Sequence, residues 1–421
     1  MNIIRHHERK LLLIAGVVML NGIVAVNIAQ GNFDYGMIGV TCGLIASFII
    51  VNGILTKAGY VGDPFLLPLA TLLTGISLTV ILRLKPNLFF VQAMWIGIGL
   101  LSFLLSTFLS RRLEEIAKFK YICAFIGVGL LLSAILFGVD IGGNKNWVMI
   151  GPLRFQPSEF AKMFIVLFFA GYLSERRDLL TLATRHYGPF VLPHPRFIAP
   201  LITIWGLGMM MFVLQRDMGA ALLYFGLAIV MTYMVSGRLS YVVMGVLLFL
   251  LGSFICYTFY PHIQTRVDIW LNPWSDPNGR AYQIVQSLFA LGSGGILGSG
   301  LAYGYPNMIP EVHTDFIFSA IGEEMGFVGA GAVILVYILM VYRAFRAALV
   351  TNLSFSMLVA AGLATSMALQ IFLIIGGVTK FFPLTGITLP FISYGGSSIV
   401  ANFILLGMLF TISEVRAADE K

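Results

Sequence analysis

The chain has 421 residues, 58% of them hydrophobic and only 11% charged, with a mean hydropathy of +0.92, whereas soluble domains carry about 25% charged residues. That balance excludes a soluble globular enzyme. A net charge of +7 would point to nucleic acid in a soluble chain, but in a membrane protein the placement of Lys and Arg matters more than their sum, and no nucleic-acid partner is expected.

A membrane-crossing helix needs about 20 apolar residues. In chain order, apolar runs cover Leu11 to Ile28, Met37 to Leu55, Phe65 to Leu82, Phe89 to Leu109, Tyr121 to Val139 and Phe160 to Leu173. Six more cover Phe197 to Leu214, Met218 to Val235, Tyr241 to Phe259, Phe316 to Val341, Phe355 to Ile375 and Ile392 to Ile412. The strand-length alternation of a membrane barrel is missing. The expected fold is therefore an all-α polytopic membrane protein of about twelve transmembrane helices, with a large extracellular loop over residues 260–314. The sixth run is short unless Glu159 and Lys162 lie inside the bundle.

An even span count puts both termini on one side. Placing them in the cytoplasm leaves 17 Lys and Arg inside and 8 outside, with Lys162 within a span, as the positive-inside rule requires. The first run is too long for a signal-peptide core and is read as a retained helix. Cys42, Cys123 and Cys256 all fall inside apolar runs, against both a disulfide framework and a Cys metal cluster. Neither a Walker loop nor a Rossmann fingerprint is present, so ATP-driven work is not expected.

Four polar clusters stand out, all on the outer side in this topology. His313-Thr314-Asp315-Phe316 opens the tenth span. Thr314 or Asp315 there is a helix cap, or else Asp315, Ser319 and Glu323, at i, i+4 and i+8, form a polar stripe running into the membrane. An Asp beside Phe316 and Phe318 should feel desolvation, a condition that suits a general base. Arg154 to Lys162 (RFQPSEFAK) begins the sixth span; Glu159 and Lys162 either neutralise each other as an i, i+3 pair or, with Arg154, form a cationic pocket for an anionic lipid head group. Gln215-Arg216-Asp217 is a minimal hairpin, readable as a salt-bridged turn or as a charge pair near the other clusters. Leu384 to Ser398 (LTGITLPFISYGGSS) breaks helix, which membrane depth tolerates only inside protein or beside a cavity. Within the large loop, Asp276-Pro277-Asn278-Gly279 reads as a turn, Tyr282 to Leu291 as a helix lying at the interface, and Gly292 to Gly300 as tight helix packing rather than a phosphate loop.

The segments GGNKNWVMIGPLRFQPSEFAK, QRDMGAALL, NPWSDPNGRAYQIVQSLFALGSGGILGSGL, PEVHTDFIFSAIGEEMGFVG and TGITLPFISYGGSS resemble, in order and spacing, the signature segments of the SEDS family (shape, elongation, division and sporulation), which includes FtsW, RodA and SpoVE. The resemblance covers roughly Gly59 to the C-terminus. It implies a ten-helix core over 59–421 preceded by two additional N-terminal helices over 1–58. It further implies a peptidoglycan glycosyltransferase that polymerises lipid II on the outer face of the bacterial cytoplasmic membrane, with a class B penicillin-binding protein as cross-linking partner and polyprenyl-diphosphate-linked glycan as substrate. By the same resemblance Asp315 is the essential acidic residue, and Trp147, Arg154, Glu159, Lys162, Asp217, Ser393 and Ser397 belong to the substrate site, to which the polar stripe adds Glu323. The resemblance fixes no cofactor. A divalent cation, Mg or Mn, would suit a diphosphate, although no residue spacing marks a metal site. The familiar Gln-Pro-Asp is here Gln-Arg-Asp. The competing expectation is a flippase for the same lipid-linked precursor, for which many spans and broken helices suit equally.

Overall fold

The computed structural model describes residues 2–31, 33–141, 144–151, 153–178, 184–187, 190–193 and 195–414. The helices of ten or more residues are α1 (Asn2–Gln30), α2 (Tyr35–Lys57), α3 (Leu66–Leu84), α4 (Phe89–Leu109), α5 (Lys120–Phe137), α6 (Pro157–Glu175) and α7 (Pro195–Gln215). They continue with α8 (Met218–Ser236), α9 (Leu239–Phe259), α10 (Pro261–Leu271), α11 (Tyr282–Gly294), α12 (Ile317–Val350), α13 (Ser354–Val378) and α14 (Gly396–Ile412). Each of the twelve apolar runs coincides with one helix; α10 and α11 are added by the 260–314 segment. Among the described residues, eight helical stretches are long and apolar enough to cross a membrane, one of them, Pro86–Phe137, taking in both α4 and α5, and Ala199–Gln215 and Gly396–Ile412 are shorter apolar helices.

α9 shows why only a bilayer suits this chain. It is apolar all round, yet Tyr241 is its single buried side chain, and Leu247, Leu250, Leu251 and Phe254 are more than half exposed. A helix of that kind is stable only where the surrounding medium is itself apolar. Helix ends follow local chemistry. Asp34 caps α2 by accepting from the Gly36 amide at 2.7 Å, Pro157 opens α6, where a missing N–H costs nothing, and Gly237, at φ 63°, closes α8 in the left-handed conformation.

The chain forms two compact units. The first comprises residues 1–111, 272–351 and 370–421, and the second residues 112–271 and 352–369. Within the first, α4 and α14 approach closely at small residues: a side chain on Gly99 would strike the Phe403 ring, and one on Gly407 would strike Ser106 and the Phe103 carbonyl, the backbone-to-backbone approach that membrane helices use in place of hydrophobic collapse. At the foot of the same unit, buried Arg5 donates two hydrogen bonds to the Tyr60 carbonyl at 2.9 and 2.8 Å and pairs with buried Glu8, while Arg343 pairs with Asp63 at 2.5 Å. The N-terminal helices are thus packed into the first unit.

The all-α architecture also carries a little sheet in its inter-helix segments. The second unit contains a three-stranded antiparallel sheet, β1 (Gly138–Ile141), β2 (Asn144–Ile150) and β3 (Leu153–Phe155), in that order, and a hairpin of β4 (Thr184–Tyr187) and β5 (Phe190–Pro193). The fifth apolar run accordingly ends as helix at Phe137 and continues as strand. These are inter-helix segments whose short strands satisfy backbone groups by pairing with one another, which a hydropathy reading does not register.

Candidate functional site

In the first unit, Asp315 lies in the turn immediately before α12 and is partly buried, next to the fully buried Phe316. The N-cap position falls on Phe316, one residue beyond Asp315. The segment 313–315 is laced to the helix-breaking loop before α14. Ser393 Oγ donates to the Thr314 carbonyl at 2.5 Å and accepts from the Leu389 amide at 2.9 Å, the Tyr394 amide donates to the His313 carbonyl at 2.9 Å, and the His313 and Tyr394 rings lie 5.7 Å apart. Non-helical backbone among apolar helices must find such partners. Further support comes from Gln92, which donates to the carbonyl of Ser393 at 3.3 Å and to Ser77 Oγ at 3.0 Å, and from the Tyr337 hydroxyl, which donates to the Pro390 carbonyl at 2.6 Å. Ser397 is buried in the first turn of α14. Burial holds the His313 imidazole below its ordinary value, with Glu311 opposing and Lys85 reinforcing that shift.

Of the stripe expected from Asp315, Ser319 and Glu323 lie on α12 while Asp315 stays in the turn before it, and the two helical members differ in role. Ser319 is fully buried and shares a 2.7 Å hydrogen bond with Ser287, whose hydroxyl also donates to the Val378 carbonyl. Glu323 accepts from the Tyr305 amide at 2.7 Å. Its neighbour Glu324 accepts from Arg83 Nε at 2.9 Å and from the Ala302 amide at 3.0 Å. α12 is kinked here: Gly326 adopts φ 65°, ψ −169°, and the glycine-rich run fills the break. Ser299 and Gly300 donate to the carbonyls of Glu323 and Glu324, and Phe327 and Val328 donate to those of Gly295 and Ile296, all between 2.9 and 3.1 Å. A side chain at Gly298 would collide with the Glu324 backbone. The glycines therefore serve backbone packing, as the sequence indicated.

In the second unit, α6 carries Glu159 and Lys162 as a buried ion pair at 2.7 Å. The sheet leads into it. Trp147, on β2, is partly buried opposite Val139, and Arg154, on β3, is exposed opposite Met149. Asp217 is almost fully buried at the N-cap of α8, where its side chain accepts from the Ala220 amide at 3.0 Å. Its other oxygen accepts from Asn146 Nδ2 at 2.7 Å. The salt-bridged turn considered for Arg216 and Asp217 is replaced by this amide contact, with Arg216 exposed at φ 60°. Burial pushes the Asp217 carboxyl upward, opposed by the Ala220 and Asn146 hydrogen bonds and the Arg266 charge, while Glu159 adds to the rise. The Tyr224 hydroxyl donates to the Ser158 carbonyl at 2.8 Å, tying α8 to α6.

Sequence reasoning singled out none of Asn146, which lies inside the GGNKNWVMIGPLRFQPSEFAK segment, Gln92 or Arg83, the latter two lone polar residues outside every motif. The signal for Arg83 was available: a cation ending an otherwise apolar span needs a partner. Asn146 Oδ1 and Gln215 Oε1 are buried acceptors that find no partner among the described residues. No group of three or more His, Cys, Asp and Glu suited to a metal ion occurs among the described residues.

A bundle of apolar helices interrupted by buried carboxylates and helix-breaking loops defines a polytopic membrane protein with its polar chemistry on helix ends and inter-helix segments. Residues 65–418 match the FtsW/RodA/SpoVE family, described as cell cycle protein, and the chain belongs to that family. It is 38% identical to the peptidoglycan glycosyltransferase RodA of Mycobacterium tuberculosis (strain ATCC 25618 / H37Rv) over 430 residues, covering 97% of this chain and 90% of the relative. It is 34% identical to the stage V sporulation protein E of Bacillus subtilis (strain 168), covering 69% and 77%. Among solved structures, a chain from a peptidoglycan synthase complex that coordinates polymerization and crosslinking aligns with a TM-score of 0.68 at 28% identity, covering 84% of this chain and 97% of that one. The rod shape determining protein RodA of Thermus thermophilus aligns at 0.59 and 26%, covering 84% and 96%.

Proposed function

We infer that this chain is a peptidoglycan glycosyltransferase that polymerises lipid II into glycan strands during bacterial cell-wall synthesis. The observation that carries the reading is the family match over 65–418, which includes Asp315 in its His-Thr-Asp-Phe setting. In the proposed reaction the acceptor hydroxyl attacks the anomeric carbon of the donor sugar. The bond from that carbon to the diphosphate oxygen breaks, the hydroxyl proton passes to Asp315, and polyprenyl diphosphate departs. Positive charge must meet the leaving group as it develops; Arg154 and Lys162 are the proposed source, with Glu159 paired to Lys162 and Trp147, Asp217, Glu323, Ser393 and Ser397 shaping the substrate site. A divalent cation carried by the substrate's own phosphates would share that load.

Both termini are proposed to be cytoplasmic, on the charge asymmetry of the loops. The polymerised product would then form outside, cross-linked by a class B penicillin-binding protein, a partner supported by the resemblance to a chain of a synthase complex. Residues 1–58 are proposed as two helices added to a ten-helix core. The RodA match, at 97% of the chain, leaves too few residues to omit either, while the sporulation relative aligns with 69%; this favours a role in rod shape and elongation.

Purified protein incubated with lipid II, with and without a candidate penicillin-binding protein, tests the reading. Glycan polymer is expected with the partner present; lipid II moved across a vesicle membrane with no polymer formed would replace the polymerase by a flippase. Cysteine-accessibility labelling in intact cells should reach 260–314 from outside and miss 174–196.

A further inference from the structure

The loop held by Glu323 and Glu324 borders an open cleft of about 400 Å³ lined by Arg83, Ala302, Tyr303, Gly304, Tyr305, Asn307 and Met308. A volume of that order is typical of small-molecule sites. Its floor is built rather than incidental. Arg83 is oriented from below by Glu324, through Nε at 2.9 Å, and from the side by the Gly304 carbonyl, which accepts from Nη2 at 2.9 Å. Ala302 is held at φ 70°, a conformation that costs a residue with a Cβ and persists only where its surroundings impose it; here the Glu324 carboxylate grips its amide. Tyr303 and Tyr305 stand beside the cleft with 74% and 76% of their surface exposed.

The charge balance discriminates between ligands. Arg83 is already paired with Glu324, while the neighbouring Glu323 accepts from the Tyr305 amide, so the cleft carries no surplus positive charge for a phosphate or diphosphate. A neutral ligand with hydroxyl edges and C–H faces fits better: the hydroxyls meet the arginine edge, the Asn307 amide and the Gly304 backbone, and the C–H face lies on a tyrosine ring.

We propose that this cleft is a saccharide subsite, taking an N-acetylated hexose unit of the glycan strand. The identity of the strand rests on the glycosyltransferase reading; the saccharide chemistry rests on the cleft. The subsite keeps hold of the polymer between additions, so its loss shortens the product.

The full chain in lipid nanodiscs is titrated with chitotetraose, a soluble β-linked N-acetylglucosamine oligomer, and followed by saturation-transfer NMR. The wild type should bind, and Tyr303→Ala should weaken binding about three- to tenfold, the range expected for loss of one aromatic stacking contact. Asn307→Ala should weaken it too. Tyr35→Ala, which removes an equally exposed ring outside the cleft, should bind as wild type, and polymer made by Tyr303→Ala from lipid II should be shorter. Absence of chitotetraose binding by the wild type, or equal binding by Tyr303→Ala, overturns the proposal. So does strong quenching of a Tyr303→Trp variant by brominated lipids with no response to chitotetraose, which would make these rings membrane anchors. Lipid II polymerised without chitotetraose binding removes the subsite alone; chitotetraose bound without any polymerisation removes the glycosyltransferase reading alone.

Discussion

The segment around Asp315 and the cluster around Glu159 are both polar islands on apolar helices, yet they are stabilised in opposite ways. In the segment that carries Asp315, a serine hydroxyl and a backbone amide tie residues 313–314 to 393–394, and tyrosine and glutamine side chains hold that second loop in turn. Around Glu159, charge is met by charge, with Lys162 three residues along the same helix. Hydrogen bonds between uncharged groups hold a backbone segment in place whatever the protonation of a carboxylate it carries, whereas removing one half of a buried ion pair strands the other charge. We propose that the first arrangement suits a residue that moves a proton once per cycle and the second suits residues that hold a fixed field.

The largest expected effect breaks the first frame at its centre. Asp315→Asn keeps size and hydrogen-bonding edges but no longer accepts a proton, and polymer yield should fall about 10²- to 10⁴-fold, the usual contribution of a positioned acid/base group, with an unchanged melting temperature. A fully active Asp315→Asn enzyme would dissolve the comparison and shift attention to Asp217 or Glu323.

The ion pair predicts the reverse signature. Lys162→Met strands a buried carboxylate and should cost about 3 to 5 kcal/mol of stability, read as a lowered unfolding midpoint, whereas the double variant Glu159→Gln with Lys162→Met should recover most of it. If Lys162 also meets the diphosphate, that stable double variant stays weak in polymerisation; recovery of activity together with stability would reduce the pair to architecture. Ser393→Ala removes a donor to Thr314 and an acceptor for Leu389, and should cost about 1 to 3 kcal/mol together with part of the activity, because the loop bearing Asp315 loosens.

The smallest effects concern exposed groups and pH. Asp276 is partly exposed and accepts from the Arg280 amide at 3.1 Å, so Asp276→Asn should leave the melting temperature nearly unchanged. For His313, burial lowers the folded-state value below the ordinary 6.5. On acidification the unfolded chain takes up the proton first, so the neutral ring's contribution is full above 6.5 and is lost as pH falls below it. Melting curves from pH 8 to pH 5 should show that loss in the wild type and less of it in His313→Gln.

Most of the helical architecture was legible in the sequence, because a bilayer imposes a length and an apolar composition on every crossing segment and the chain must state both locally. The inclusion of Glu159 and Lys162 in α6 and the break before α14 followed from the same reasoning, as did the packing role of the glycine run. What the tertiary structure alone decided are the partnerships across sequence distance: Arg83 with Glu324, Asn146 with Asp217, Ser393 with Thr314. It also decided the kink at Gly326 and the strands between α5 and α6. Periodicity reports which face of a helix is apolar; it holds no information on which distant polar atom will satisfy a given donor. That choice depends on which segments the packed helices bring within about 3 Å of one another, the reach of a hydrogen bond.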